Sequence, residues 1–138
     1  MLGGLLRLTQ QEMLNGIEAG LAAAGISDVR PAHYAVTQQL GARPEGVRLT
    51  ELASYAGITK PSMSALVDDL ERTGYVQRVA DPTDQRAQLI RFSAKGRKFG
   101  DLVVRVVKKI EANWAKRIGE PELETLRRLL RAIVSSRP

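Results

Sequence analysis

Residues 49–75 read LTELASYAGITKPSMSALVDDLERTGY, a pattern of two short helices separated by a glycine. Its first half has the apolar face of a short helix, with the small Ala53 where a second helix would cross it. Gly57 stands where the turn between two helices needs a positive φ. Thr59 suits the N-cap of the second helix, and Pro61 suits its first turn. The spacing predicts a helix-turn-helix, with an ordinary corner between two helices as the alternative.

Neighbouring positions support the docking of the two helices. Thr50 is expected to cap the first helix, with Glu51 near the positive end of its dipole. Ile58 is expected to fill the core beside the turn, while Met63 and Leu66 dock the second helix back. This arrangement makes the second helix the one that would enter a DNA major groove.

The outward residues at the start of the second helix are Thr59, Lys60, Pro61, Ser62 and Ser64. A lysine can contact phosphate or guanine, and serines can reach bases or phosphates. A role without DNA remains the alternative for both serines. Ser62 suits the first turn of any helix, and the Ser64 hydroxyl suits a solvated position. Acidic residues follow at positions 68, 69 and 71 and would repel phosphates. Only the first turn and a half is therefore expected to lie deep in a groove.

A β-hairpin is expected directly after this helix. Its strands are predicted at 75–80 and 87–93, joined by a moderately long turn, DPTDQR, at 81–86. Asp81 is expected to bond the amides that follow it. Asp84 is expected to accept the guanidinium hydrogens of Arg86 and so to orient that side chain. An arginine at the tip of such a wing can enter a DNA minor groove.

The remaining sequence predicts helices on both sides of this unit. Residues 2–24 have apolar positions at helical spacing, and Gly25 ends that helix. Ser93 is expected to cap a long helix at 94–117, whose side would carry the cations Lys95, Arg97 and Lys98 either towards DNA or into solvent. A last helix begins at residue 120 or 121. The fold class is thus mainly α with a small β-hairpin wing.

Composition limits the chemistry. The 138 residues carry a formal net charge of +6 and a pI of about 10.1, which favours nucleic acid or an anionic surface as partner. The chain has no cysteine, one histidine (His33) and no phosphate-loop pattern. We therefore expect no metal, no cofactor and no enzymatic activity. No apolar run approaches the ~18–20 residues of a membrane span. No secretory signal is evident either, so a cytoplasmic location is expected.

The wing and helix-turn-helix together resemble the MarR family of winged-helix transcription regulators. The resemblance is carried by residues 49–96, above all by DPTDQRA…IRFSAKG. By position, Pro61, Ser62 and Ser64 match the family's recognition-helix contacts to DNA, and Asp84 and Arg86 match its wing pair, in which we expect Asp84 to orient Arg86 without meeting DNA itself. The resemblance also implies a homodimer on a palindromic operator in double-stranded DNA, and repression relieved by a small aromatic or phenolic ligand whose binding residues the sequence does not identify. Position 65 departs from the pattern, because an alanine replaces the longer polar or basic residue of many members.

This resemblance divides the single domain at 1–138 into working parts. Residues 1–24 and 119–138 are expected to be dimerisation helices, 47–93 the DNA-binding part and 94–117 the long connecting helix. The alternative for the terminal helices is that they pack on each other within one subunit. The alternative for the whole chain is a winged-helix module that binds protein and not specific DNA. The acidic second half of the recognition helix motivates that second reading.

Overall fold

A computed structural model describes all 138 residues and shows a mainly helical protein with one small antiparallel sheet. The elements are α1 (Leu2–Ala23), a 3₁₀ turn (Pro31–His33), α2 (Tyr34–Ala42), β1 (Val47–Arg48), α3 (Leu49–Ala56), α4 (Lys60–Arg72), β2 (Val76–Asp81), β3 (Asp84–Phe92), α5 (Ala94–Ile118) and α6 (Glu120–Ser135). The predicted fold class is confirmed. None of the helices combines the length and apolar character needed to cross a bilayer.

The helix-turn-helix follows the predicted positions closely. Gly57 ends α3 with a φ of +67°, in the left-handed region that favours glycine. Thr59 caps α4, because its Oγ1 accepts a hydrogen bond from the Ser62 amide at 3.2 Å. Ala53 is buried at the helix crossing, and Met63 of α4 is fully buried beneath it. The recognition helix is therefore fixed to the core along one face and free along the other.

Two details of this unit were predicted wrongly. Thr50 does not cap α3, because the helix already begins at Leu49 and Arg48 occupies the cap position without a side-chain bond. Ile58 does not fill the core and remains 37% exposed. Its amide bonds the Ala53 carbonyl at 3.1 Å, which fixes Ile58 in the turn at the end of α3.

The sheet has a third strand that the sequence did not reveal. β1 pairs antiparallel with β3, placing Val47 opposite Ile90, and the strand order is β1-β3-β2. Two residues are too short to show a strand period, and the preceding Pro44 and Gly46 indicate a loop. Gly46 has a φ of +110°, and a Cβ at this position would lie 3.0 Å from the Leu89 Cβ. The close approach of the two backbones there requires glycine.

α1 is held by close packing against α5. A Cβ on Gly16 would lie 2.6 Å from Ile110 Cδ1, and a Cβ on Gly20 would lie 2.6 Å from Val106 Cγ2. These glycines cost helix propensity but let the two helices approach each other closely.

The outer faces of the terminal helices remain apolar and exposed. α1 and α6 each pack against α5, and Arg127 of α6 is bonded to Glu111 of α5 at 2.6 Å. Only Leu123 of α6 is buried. Large apolar side chains stay in solvent on both helices: Leu2, Leu5, Leu6, Leu8, Leu126, Leu129, Leu130, Ile133 and Val134.

Candidate nucleic-acid interface

The first turn of α4 presents polar groups to solvent. Thr59, Lys60, Pro61 and Ser62 are exposed, and Ser64 is half-buried. The Thr59 hydroxyl donates to Ser62 Oγ at 2.9 Å, so the Ser62 hydroxyl keeps its own proton for an outside acceptor. The Lys60 ammonium forms no ion pair within the chain. The first turn of α4 therefore offers hydrogen-bond donors and one unpaired cation at the N-terminal end of the helix, where the helix dipole is positive.

The acidic second half of α4 is paired within the protein. Asp68 contacts Arg78 of β2 at 2.5 Å, and Glu71 lies 3.6 Å from the same guanidinium group. Asp69 accepts a bond from Arg72 at 2.8 Å, and Arg72 holds the pKa of that carboxyl below its usual range. These three carboxylates have cation partners, which reduces the repulsion expected between them and a DNA backbone.

The turn of the wing is anchored by Asp81, a buried carboxylate at the end of β2. Asp81 Oδ1 accepts the Thr83 amide at 2.8 Å and the Thr83 hydroxyl at 2.7 Å, as expected of a turn-forming aspartate. Its Oδ2 accepts Nε and Nη2 of Arg48 at 2.8 and 2.6 Å. Hydrogen bonds from Thr83, and then from Arg48, lower the pKa of Asp81 to about 2. Sequence reasoning missed Arg48, which lies 33 positions away and carries no local signal.

The regular strand pairing of the wing ends close to the predicted limits of the turn. It runs from Val76 opposite Phe92 to Ala80 opposite Gln88, and the register then shifts so that Asp81 lies opposite Asp84. Residues 85–87 therefore have no partner on β2. Asp81 closes the two residues between the strands, Pro82 and Thr83, by accepting hydrogen bonds from the Thr83 amide and hydroxyl.

Asp84 makes a different contact from the one predicted. Its Oδ1 accepts the backbone amide of Arg86 at 3.0 Å, and its carboxylate does not bond the Arg86 guanidinium. The carboxylate thus shapes the backbone near the tip, while the exposed Arg86 side chain stays free of intramolecular ion pairs. A hydrogen bond between residues i and i+2 explains this, because the amide lies closer to Asp84 than the end of an outward-pointing arginine does.

The cations at the start of α5 have structural contacts. Lys95 Nζ donates to the Thr73 carbonyl at 2.6 Å and lies 4.2 Å from the centre of the Tyr75 ring. Arg97 reaches the Phe92 carbonyl at 3.4 Å. Both side chains therefore make contacts within the protein that neither expectation included, and Lys95 binds the carbonyl at the end of α4.

A cleft of about 720 Å³ lies between α1, α2 and α5. Its wall is mainly apolar, and it includes Tyr34, Arg97 and Asp101. The Tyr34 hydroxyl is buried there without a partner, and burial raises its pKa. Trp114 does not line this cleft and donates to Glu12 at 2.8 Å. No group of three or more His, Cys, Asp or Glu side chains is arranged to hold a metal ion.

The predicted site residues form two clusters. Thr59 and Ser62 are joined by hydrogen bonds at the start of α4, and Asp84 and Arg86 are joined near the wing tip. No hydrogen bond or ion pair connects the two clusters. β2 carries the chain from one to the other and is tied to α4 by Arg78.

The chain is similar to known transcriptional regulators over most of its length. A sequence profile of the MarR family matches residues 27–87. The transcriptional regulator HosA of Escherichia coli O111:H- is 23% identical over 111 residues, or 80% of this chain and 82% of HosA. CouR from Rhodococcus jostii RHA1, in a crystal structure bound to p-coumaroyl-CoA, is 26% identical with a TM-score of 0.80, covering 99% of this chain and 94% of that one. The transcriptional repressor CouR bound to a 23-mer DNA duplex is 27% identical with a TM-score of 0.77, covering 97% and 92%.

Proposed function

We propose that this chain is a sequence-specific repressor that binds a palindromic operator in double-stranded DNA as a homodimer, because residues 27–87 match the MarR family of winged-helix transcriptional regulators and CouR is similar to it over nearly the whole chain. The observation that carries this proposal is the exposed first turn of α4, where Lys60 is unpaired and Ser62 keeps a free donor. Base edges in a major groove present acceptors that such donors can read. The unpaired guanidinium of Arg86 would enter the adjacent minor groove from the wing.

The apolar outer faces of α1 and α6 support the dimer. Leu6 and Leu8 of α1 are 44% and 57% exposed, and Ile133 of α6 is 61% exposed. Contiguous apolar surface of this kind marks an interface. In the proposed homodimer, residues 1–24 and 119–138 of two subunits bury this surface together. The two recognition helices would then read half-sites about 34–36 Å apart.

The cleft supports release by a small molecule. It combines an apolar wall with the buried, unpartnered hydroxyl of Tyr34 and the guanidinium of Arg97. This chemistry suits a small aromatic or phenolic acid, whose ring would fill the apolar part and whose oxygens would take bonds from the two polar groups. CouR, which was solved with p-coumaroyl-CoA, is similar over nearly the whole chain.

Selection of bound duplexes from a random pool tests the proposal. We expect a palindromic consensus with half-sites about one helical turn apart and an affinity that falls steeply with salt. Arg86→Ala should weaken binding to the selected operator while leaving the melting temperature unchanged. Arg105→Ala, which removes the same charge from an exposed arginine of α5 without an ion pair in the chain, should leave the affinity unchanged. Recovery of no consensus, or equal affinity of the two variants, would contradict the proposal.

The protein-interaction alternative loses its main argument in this structure. It was motivated by the acidic residues of α4, which could have formed a free docking surface for a basic partner. Asp68 and Glu71 are instead paired with Arg78, and Asp69 is paired with Arg72.

A further inference from the structure

Two buried side-chain atoms in the protein lack a hydrogen-bond partner, and they belong to consecutive residues. These atoms are His33 Nε2 and the Tyr34 hydroxyl. They point to different places, since Tyr34 lines the cleft and the His33 imidazole faces the recognition helix. Buried polar groups are almost always satisfied in folded proteins, so each exception calls for an explanation.

The His33 ring is held in one tautomer. Its Nδ1 accepts the backbone amide of Arg30 at 3.0 Å, which places the proton of the neutral ring on Nε2. Only 4% of the residue is exposed, so water does not compete for that proton. The imidazole therefore carries a buried N–H donor with a fixed direction.

The group in front of that donor is Asp69 of α4. Nε2 lies 3.6 Å from Asp69 Oδ2, beyond the ~2.7–3.2 Å of an ordinary N–H···O bond. Arg72 binds the other oxygen of the carboxylate at 2.8 Å. A movement of α4 by under about 1 Å towards the 3₁₀ turn would bring the His33 pair within hydrogen-bond distance.

We propose that His33 is a positioning residue for operator binding, and that its imidazole donates to Asp69 when α4 is seated in the major groove. The bond then sets the position of the recognition helix relative to α2 and keeps the Asp69 carboxylate turned away from the phosphates. This role rests on the DNA-binding function proposed above. His33 itself is buried and touches no base or phosphate.

Two substitutions separate this role from the local role of the ring. Asparagine carries an acceptor close to the position of Nδ1, so His33→Asn keeps the bond to the Arg30 amide but ends short of Asp69. Glutamine places its amide N–H near the position of Nε2, so His33→Gln keeps the bond to Asp69 and loses the local one. A purely structural role would make the two variants alike or make the asparagine variant the milder one.

The readout is the ratio of affinity for the selected operator to affinity for a random duplex of equal length. Partial unfolding lowers both affinities together, whereas a displaced recognition helix lowers only the specific one. We expect His33→Asn to reduce the ratio about fivefold or more, the lower end of typical coupling between sites. His33→Gln should keep the ratio within about twofold of the parent.

A double-mutant cycle identifies Asp69 as the partner. In an Asp69→Ala background, His33→Asn should cause no further loss, because the bond is already absent. In an Asp68→Ala background the full loss should remain, since Asp68 pairs with Arg78 and not with His33. Asp68→Ala is the matched control, because it removes the same charge from the adjacent position of the same helix.

The outcomes are distinct. Additive effects of His33→Asn and Asp69→Ala would overturn the inference, as would an unchanged ratio in His33→Asn. If His33→Asn does not fold, an unchanged ratio in Asp69→Ala alone overturns it, and a ratio lowered there but not in Asp68→Ala supports it. A parent protein with no preference for any duplex would remove the proposed function and this inference together.

Discussion

Replacing Asp84 by alanine should weaken operator binding, although the change removes a negative charge from a surface that would meet DNA. The Asp84 carboxylate accepts the Arg86 amide at 3.0 Å and so fixes the backbone that carries the arginine. Without that bond, the strand end must be ordered at the moment of binding, and the cost appears as lost affinity.

The two opposing effects differ in size. One hydrogen bond at an exposed tip contributes about 0.5 kcal/mol, the low end of the net range. Two wings in the proposed dimer give about 1 kcal/mol, or about a fivefold loss of affinity. Removing a carboxylate about 10 Å from a phosphate relieves about 0.4 kcal/mol of repulsion in water. Physiological salt reduces that relief to roughly 0.1 kcal/mol per wing, so the hydrogen bond decides the sign.

Asp84→Asn is the matched control, because it removes the charge but keeps the acceptor. We expect Asp84→Asn to bind the selected operator at least as tightly as the parent and Asp84→Ala to bind about fivefold more weakly, measured by fluorescence anisotropy near 0.15 M salt. Parental or tighter binding by Asp84→Ala would refute the reasoning. Equal weakness of both variants would show that the carboxylate acts through its charge.

The other predictions concern the recognition helix, the turn of the wing and the α1–α5 contact. Lys60→Ala should reduce the slope of log affinity against log salt by about 1.8, because a dimer loses two phosphate contacts; an unchanged slope in a salt titration would place Lys60 away from phosphates. The pKa of Asp81 falls from its ordinary 3.8 to about 2 on folding, so its contribution to stability is present above pH 3.8 and lost as the pH falls through 2. The melting-temperature difference between the parent and Asp81→Asn should therefore be constant near neutral pH and close between about pH 4 and 2; a difference that persists at pH 2 would contradict this. Gly20→Ala should lower the free energy of unfolding by about 1–3 kcal/mol in urea titrations, because its Cβ would meet Val106 at 2.6 Å. Gly3→Ala, with nothing within 4 Å of its Cβ, should raise it by up to about 1 kcal/mol, and similar shifts for the two would contradict the packing argument.

Local signals in the sequence predicted most of the fold. Thr59, Gly57 and Ser93 act within a few residues of themselves, and the structure places each in its predicted capping or turn position. The wrong or missed predictions concern residues whose environment is set by other parts of the fold. Ile58 is apolar but occupies the outside of a turn, and the two-residue strand β1 exists only because β3 lies beside it.

In the candidate site, too, the residues with local signals could be predicted and those with distant partners could not. Thr59, Lys60 and Ser62 could be found from their positions in a recognisable helix. Arg48 and His33 could not, because their partners are Asp81 and Asp69, more than 30 residues away, and no periodicity reports a pairing across that distance. The predicted bond from the Arg86 guanidinium to Asp84 is wrong, because the donor is the Arg86 amide and a spacing of two residues does not reveal which group donates.

The long helix α5 sets an angle as well as a distance. It runs without interruption for 25 residues from the wing to α6, about 37 Å at 1.5 Å per residue. Each residue also advances the helix by about 100° around its axis. Inserting one residue in α5 would lengthen it only slightly, yet it would turn α6 to a different side relative to the wing. The number of residues in α5 thus fixes the rotation of α6 relative to the wing about the helix axis. Only insertions close to a whole number of helical turns would preserve that rotation.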